Sequence, residues 1–134
     1  MKEIMTAIYQ QINNAHEYET YNGQAPQKIT LSDGRRIPTP YPYVVYKLLP
    51  VSPTEKDRDD YTLEVSCWDK SESTSHVRII GIAKGIRQAL LMFRHLDEHN
   101  LIIVSRPNVG YVPDPDELIK RYDVTATLMT YRRS

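Results

Sequence analysis

The sequence has little cysteine and little glycine, with one cysteine, Cys67, and five glycines among 134 residues. One cysteine cannot form a disulfide within the chain, which suits a reducing cytoplasm. No stretch approaches the run of about 20 apolar residues that a membrane helix needs. The first residues, MKEIMTAIYQQINNA, carry two early charges and no unbroken apolar run. We therefore expect neither a membrane span nor a signal peptide.

An excess of either charge is also missing, because 17 Lys and Arg residues balance 17 Asp and Glu residues. A chain without net charge has no general attraction to nucleic acid or to an anionic membrane. Weak self-repulsion also makes contacts between copies easier. The length fits one domain, residues 1–134, which can bury a core without disulfides.

Tyrosine is the abundant aromatic residue, with ten Tyr against one Phe and one Trp. A tyrosine packs its ring while keeping a polar tip, which suits half-buried sheet faces and protein interfaces. Strands also favour tyrosine for reasons unrelated to binding. Both interpretations stay open at this point.

The first part of the chain predicts a helix, a loop and a small hairpin. Ile4, Met5, Ile8 and Ile12 form one stripe of a helix over residues 2–14. Residues 15–27 lose that period and end in Asn-Gly and Pro, which is typical of a loop. Residues 28–31 and 35–38 flank an Asp-Gly pair, the dipeptide that type I′ hairpin turns prefer.

The middle of the chain predicts two strands joined by a long polar loop. Residues 41–49 are rich in Val and Tyr, and residues 61–69 alternate, with Cys67 on the apolar face and Trp68 on the other. The joining segment 50–60, PVSPTEKDRDD, has almost nothing apolar to bury, so we expect a flexible loop.

The last part predicts a long helix followed by strands. Serines at 71–75 offer N-caps for a helix over residues 76–97. Its apolar stripe consists of Ile79, Ile82, Ala83, Ile86, Leu90, Phe93 and Leu96. Residues 101–105 and 123–132 predict strands, and residues 106–110 a turn. The order favours an α+β fold, an antiparallel sheet with both helices packed on one face.

One motif carries potential chemistry: His95, Glu98 and His99 match H-x-x-E-H, an inverted zinc-protease pattern. Two histidines four residues apart on a helix can hold zinc. Here they lie in the last predicted helical turn, and Glu117 is the one glutamate that follows. Histidines and charges also suit a helix C-terminus without any metal. We assign no catalytic residue, metal or cofactor, and keep a small zinc-dependent hydrolase as an alternative.

The other residues that could carry chemistry are better explained by structural roles. Cys67 is predicted to be a small buried hydrophobe. Gly81 and Gly85 lie inside a helix, where each costs about 1 kcal/mol relative to Ala; a close backbone neighbour and a tolerated cost explain them equally well. Arg87 and Arg94 are expected on a solvated face or in ion pairs between subunits.

The order of segments resembles the tail completion, or tail terminator, proteins of long-tailed bacteriophages, most closely the tail-to-head joining proteins of Bacillus siphophages. The similar segments span nearly the whole chain: MTAIYQQI, PYPYVVYKLL, TEKDRDD, YTLEVSCWDK, VRIIGIAKGIRQALLMFRHL and YDVTATLMTYRR. The resemblance lies in order and pattern rather than in a catalytic string.

The resemblance implies a non-enzymatic subunit, without a cofactor, that forms a hexameric ring on the tail tube. Such a ring ends tail polymerisation and joins the tail to the DNA-filled head. The implied partners are copies of itself, the tail tube protein and a head completion or connector protein. DNA would pass through without sequence-specific binding, and no membrane is involved. The chain would be found in the virion, and in the host cytoplasm during assembly.

Interface residues follow from this implied role and from the predicted surface positions. A polar loop between two strands is suited to become ordered on docking, and ring closure needs two different contact patches. The predicted interface set is Tyr43, Tyr46, Pro53, Thr54, Glu55, Lys56, Asp57, Arg58, Asp59, Asp60, Arg87 and Arg94. A generic adaptor that uses an exposed sheet edge at residues 41–49 is a further alternative.

Overall fold

A computed structural model describes residues 2–51, 58–71, 75–91 and 93–132. Within these ranges the chain forms two helices and nine strands. In chain order they are α1 (Lys2–Asn13), β1 (Glu19–Asn22), β2 (Lys28–Thr30), β3 (Arg36–Pro38), β4 (Tyr43–Pro50), β5 (Arg58–Lys70), α2 (Val77–Leu91), β6 (Arg94–Leu96), β7 (Asn100–Val104), β8 (Asn108–Val112) and β9 (Ile119–Arg132).

Seven strands form one sheet in the order β1-β4-β5-β9-β7-β6, with β8 also paired to β9. The two longest strands, β5 and β9, pair from Arg58 beside Tyr131 to Lys70 beside Ile119. β7 and β8 share the other side of β9, one at each end. The hairpin β2–β3 is separate. The long β5–β9 ribbon is therefore the centre of the fold.

Both helices pack on one face of this sheet, as the sequence predicts. The three isoleucines of the predicted α1 stripe are buried and Met5 packs half-buried against the core. The predicted α2 residues from Ile79 to Leu90 are buried too. They join the sheet's inner side chains in one core: Val44, Tyr46, Leu63, Val65, Cys67, Ile102, Val124 and Leu128. Fully burying a side chain of this size contributes roughly 1.5–3 kcal/mol. The α+β class is confirmed, and Cys67 is buried as predicted.

The second helix is shorter than predicted, because it ends at Leu91 and not near residue 97. The Phe93 amide donates to the Leu90 carbonyl at 3.1 Å, and the chain then turns so that β6 pairs with β7. Phe93 still packs against the core, but Leu96 is 62% exposed. The apolar period therefore continues in the sequence beyond the point where the helix stops.

Several strand predictions need correction. Residues 15–27 contain β1, residues 106–110 contribute to β8, and residues 94–96 form β6. β1 pairs with β4 in parallel, so the sheet is mixed and not wholly antiparallel. These short strands have weak patterns of their own and form because the longer strands offer backbone partners.

The boundaries of the long strands also differ from the prediction. β4 spans Tyr43–Pro50, β5 begins at Arg58 and β9 begins at Ile119. The Val51 amide donates to the Asp60 carbonyl at 2.9 Å, so the ladder reaches into the segment that was predicted as loop. Residues 58–60 are polar and were therefore predicted as loop, but they form the beginning of β5 because they pair with the neighbouring strands.

The small hairpin is confirmed, although its turn is not type I′. That turn needs two residues with positive φ, and Gly34, with φ of 88°, is the sole residue of the hairpin that has one. The Asp33 carboxylate accepts a hydrogen bond from the Arg35 amide at 3.0 Å, which helps to fix the turn. Among the described residues, neither helix has the length and apolar character to cross a membrane.

Candidate assembly surface

The sheet has a second face, opposite the helices, that we call the outer face. Cross-strand neighbours point to the same side of a sheet, so the register defines the rows of this face. One row places Tyr43, Trp68 and Arg121 side by side. The rows that follow are Val45–Ser66–Asp123, Lys47–Glu64–Thr125 and Leu49–Thr62–Thr127. The alternation predicted for Trp68 opposite Cys67 is thereby confirmed.

Aromatic rings cluster at one end of the outer face. The ring centroid of Tyr43 lies 5.0 Å from Tyr41 and 6.0 Å from Tyr21. The Trp68 ring stacks at 6.3 Å on the other side of Tyr43. Such ring pairs contribute about 0.5–1.5 kcal/mol beyond the burial of their area. Tyr21, Tyr41, Tyr43 and Trp68, the aromatic cluster, therefore form a rigid surface.

Tyr43 is the most enclosed phenol of the aromatic cluster. Burial is the main cause that raises the pKa of Tyr43 to about 12, and the neighbouring Tyr41 and then Tyr21 raise it further. The phenol is consequently neutral at physiological pH. It presents a ring and a hydroxyl to a partner, not a negative charge.

A fixed cation covers Trp68. The guanidinium of Arg121 makes two hydrogen bonds to the Asp123 carboxylate, both at 2.9 Å, and a longer one to the Ser66 hydroxyl at 3.4 Å. A two-pronged pair of this kind orients the planar guanidinium. Tyr43, Trp68 and Arg121 line a groove of ≈ 310 Å³ together with Gly23, Gln24, Ala25, Val45, Lys47 and Ser66.

Part of the predicted docking loop lies at the far end of β5. The side chains of Arg58 and Asp60 form an ion pair at 2.8 Å, and Asp59 pairs with Arg132 at 2.6 Å. The Arg58 guanidinium also lies 5.7 Å from the centroid of the Tyr131 ring. These three predicted residues are therefore strand residues with fixed side chains. The predicted residues Pro53, Thr54, Glu55, Lys56 and Asp57 lie outside the described residues.

The remaining predicted interface residues are spread over the molecule. Tyr46 faces the helices and is only 4% exposed, with its ring 6.2 Å from that of Tyr9. Arg87 is half-buried and donates to the Pro107 carbonyl at 3.0 Å. Arg94 is exposed and lies on the edge strand β6, not on a helix. The structure brings neither Tyr46 nor Arg87 together with Tyr43 on the outer face.

The residues of the zinc motif do not lie on a helix, which the motif requires. His95 lies in β6, and its Nε2 is 3.0 Å from the Asp97 carboxylate. That carboxylate also accepts the His99 and Asn100 amides at 2.8 and 2.7 Å. Asp97 thus holds a turn in which His95 and His99 are not one helical turn apart. No group of three potential metal ligands occurs in the part of the chain that the structure describes.

The adaptor alternative requires an open edge on the strand at residues 41–49, and the structure leaves only part of that edge open. β4 pairs with β1 on one side and with β5 on the other. A peptide could add beside residues 43–46 only by displacing β1. Among the described residues, no strand pairs with residues 47–50 on that side.

No protein-family model matches this chain, and no curated protein matches it. The fold of this chain does match solved structures. The fold is similar to that of a chain from the virion of a native gene transfer agent particle. The TM-score is 0.61 at 14% identity, over 94% of this chain and 92% of that chain. A second solved protein, which carries no functional name, has a TM-score of 0.63 at 9% identity, over 100% and 96%.

This likeness to the gene transfer agent chain concerns the fold, since 14% identity transfers no side-chain role. The residues that build the outer face must be judged from this structure alone. Sequence reasoning missed Arg121 and Tyr21 because it began the last strand at residue 123 and found no strand at 19–22. The available signal was Tyr122, which extends the apolar alternation of Val124, Ala126 and Leu128 by one step toward the N-terminus.

Proposed function

We propose that this chain is a structural subunit of a phage-like virion. The observation that carries the proposal is the fold shared with a gene transfer agent virion chain, nearly end to end in both chains. A match over partial length would be expected from a common motif alone, whereas this one covers 94% of this chain and 92% of that chain. Many functions can share a fold, so the sequence resemblance to tail terminators is a second, separate support.

The finer proposal is a tail completion role. The chain would form a hexameric ring on the end of the tail tube, stop the growth of the tube and join it to the head. Its partners would be copies of itself, the tail tube protein and a head completion or connector protein. DNA would pass through the ring without sequence-specific contacts. The chain would be part of the virion, after assembly in the host cytoplasm.

The surface chemistry supports a binding role in place of catalysis. Arg121, Asp123 and Trp68 hold one another in fixed positions, and the Tyr43 phenol stays neutral. Aromatic residues and arginine are the residues that protein interfaces favour. We propose that the outer face meets a neighbouring virion protein through the aromatic cluster. Arg58 and Asp60, which lie on the outer face at the other end of β5, would extend this contact along the sheet.

Labelling of assembled particles tests the location. Gold-labelled antibody against this chain should mark one end of the tail in negative-stain images. Label along the whole tube, or no label on particles, would contradict the proposal.

Tube growth in solution tests the activity. Adding the purified chain to polymerising tail tube protein should halt elongation, so the length distribution becomes shorter than without it. Lys47→Glu changes a charge on the outer face, and Lys84→Glu makes the same change on the helix side; both lysines are exposed. Lys47→Glu should weaken the halt and Lys84→Glu should not. Equal effects would argue against the outer face as the contact surface.

A further inference from the structure

The seven-stranded sheet ends in two strands with an unpaired side. β1 forms one end of the strand order and β6 the other. Over the residues for which the structure gives positions, no strand pairs with the outward side of either. Unpaired backbone donors and acceptors on such edges are suited to receive another strand.

The two edge strands run in the same direction. β4 is parallel to β1, β5 reverses that direction, and β9 restores it. β7 reverses it again and β6 restores it. Copies related by rotation about a ring axis keep the sense of each strand along that axis. In a ring with a continuous sheet, β6 of one copy would therefore meet β1 of the next copy in a parallel pair.

The side chains on the two edges are complementary in that arrangement. Arg94 and Leu96 lie on the outer face of β6, in register with Ile103 and Leu101. Glu19 and Tyr21 lie on the outer face of β1, in register with Tyr43 and Val45. A parallel pair aligns these residues two by two, with the cation beside the carboxylate. Leu96, 62% exposed, then gains the Tyr21 ring as an apolar neighbour.

We propose that copies of this chain associate by adding β6 of one copy to β1 of the next, with Arg94 beside Glu19 and Leu96 beside Tyr21. This inference rests on the proposed function in one respect, namely that the subunits form a closed ring. The contact is heterologous because each copy contributes a different edge to each of its two neighbours. Heterologous contacts close into rings when the rotation between copies permits it.

The short length of the edges explains how premature assembly is avoided. β6 has three residues and β1 has four, and a contact between strands this short is weak by itself. A template that holds several subunits side by side would raise their effective concentration and make the same contact stable. The edges are thus suited to a ring that assembles on a tube end.

Disulfide trapping tests the pairing in the purified chain. Glu19→Cys and Arg94→Cys variants, each alone, should give no covalent dimer, because the contact joins unlike edges. Their mixture should give dimers, and a chain with both changes should give a ladder of oligomers. Cys67 is buried and its pKa is raised to about 12, so it should not compete. Gln88→Cys, on the exposed side of α2, mixed with Arg94→Cys is the matched control.

Two outcomes overturn the pairing. One is rapid dimerisation of Arg94→Cys alone, which indicates a contact between like edges. The other is a mixture that cross-links no faster than the Gln88 control at the highest concentration the protein reaches. A ladder from a protein that labels no tail would leave the pairing standing and contradict the proposed function. A protein that halts tube growth but gives no cross-link would support the proposed function and contradict the pairing of β6 with β1.

Charge exchange provides a second, independent measurement. Arg94→Glu or Glu19→Arg should weaken self-association about fivefold to tenfold, as expected when an opposite-charge strand pair becomes a like-charge pair. Both changes in one chain should restore association. Arg106→Glu, at another exposed site, should have no effect. Failure of the double variant to recover, with folding intact by circular dichroism, would refute the alignment of Arg94 with Glu19.

Discussion

Arg78 of α2 holds the buried carboxylate of Asp69 with two hydrogen bonds, at 2.6 and 3.0 Å. The Asp69 side chain is 4% exposed, while that of Arg78 is 52% exposed. The pair joins the beginning of α2 to the end of β5. It therefore fixes the helix on the sheet at the end opposite the ion pairs of Arg58 and Asp59.

Removal of Arg78 should destabilise the chain. Arg78→Ala leaves the buried Asp69 carboxylate without its charged donor, which should cost about 2 kcal/mol. Urea unfolding followed by circular dichroism measures the loss. Lys84→Ala, at an exposed position of the same helix, should change the free energy of unfolding by less than about 0.5 kcal/mol. Equal losses in the two variants would contradict a role for the pair.

Alkaline pH should weaken the fold through Tyr43. Its pKa is about 12 in the folded chain, against an ordinary value of 10.0, so the folded state binds the phenolic proton more tightly than the unfolded state. The contribution is fully present below pH 10 and is lost as the pH rises toward 12. Burial also raises the pKa of several other tyrosines, so absorbance titration should show a group of late-ionising tyrosines, from which Tyr43→Phe removes the component with a pKa of about 12. An unchanged titration curve in Tyr43→Phe would contradict the assignment.

The turn after β6 should respond to acid through Asp97. Hydrogen bonds from the His99 amide, the His95 ring and the Asn100 amide lower the pKa of the Asp97 carboxyl below 3.8. A lowered folded pKa means that the contribution is present above pH 3.8 and is lost as the pH falls through the folded value. Carboxyl NMR titration should show this low pKa. His95→Ala should move it upward, whereas an unchanged value would contradict the observed hydrogen bond.

An alanine at position 81 should stabilise α2. A Cβ atom on Gly81 would meet nothing within 4 Å, whereas one on Gly85 would lie 3.4 Å from the Ala15 carbonyl oxygen. Gly81→Ala should therefore raise the free energy of unfolding by about 0.5–1 kcal/mol. Gly85→Ala should gain less, because the Ala15 carbonyl must move slightly. Thermal unfolding of both variants tests this order, and a larger gain for Gly85→Ala would contradict it.

The space around these two glycines explains why glycine is present at one of the two positions. The close backbone neighbour of Gly85 belongs to this chain, at the loop after α1. Gly81 has open space around it among the described residues, and those residues give no explanation for its cost in the helix.

Local patterns determined the helices and the long strands of this protein. The 3.6-residue stripe of Ile4, Ile8 and Ile12 and the alternation around Cys67 are properties of neighbouring residues, and each leaves one face that must be buried. These faces alone were sufficient to predict an α+β fold with both helices on one side of a sheet. The candidate site was less predictable, since Tyr43 was found but Arg121 was not.

Tertiary structure decided the features that depend on partners distant in sequence. The end of α2 at Leu91, the parallel strand β1 and the edge strand β6 arise because β4 and β7 offer hydrogen-bonding edges at those positions. A short polar segment such as residues 19–22 has little preference of its own, so the free energy of pairing with a strand more than 20 residues away determines its conformation. The positions of Arg94 and Glu19 on opposite edges follow from that pairing and could not be derived from their local sequence.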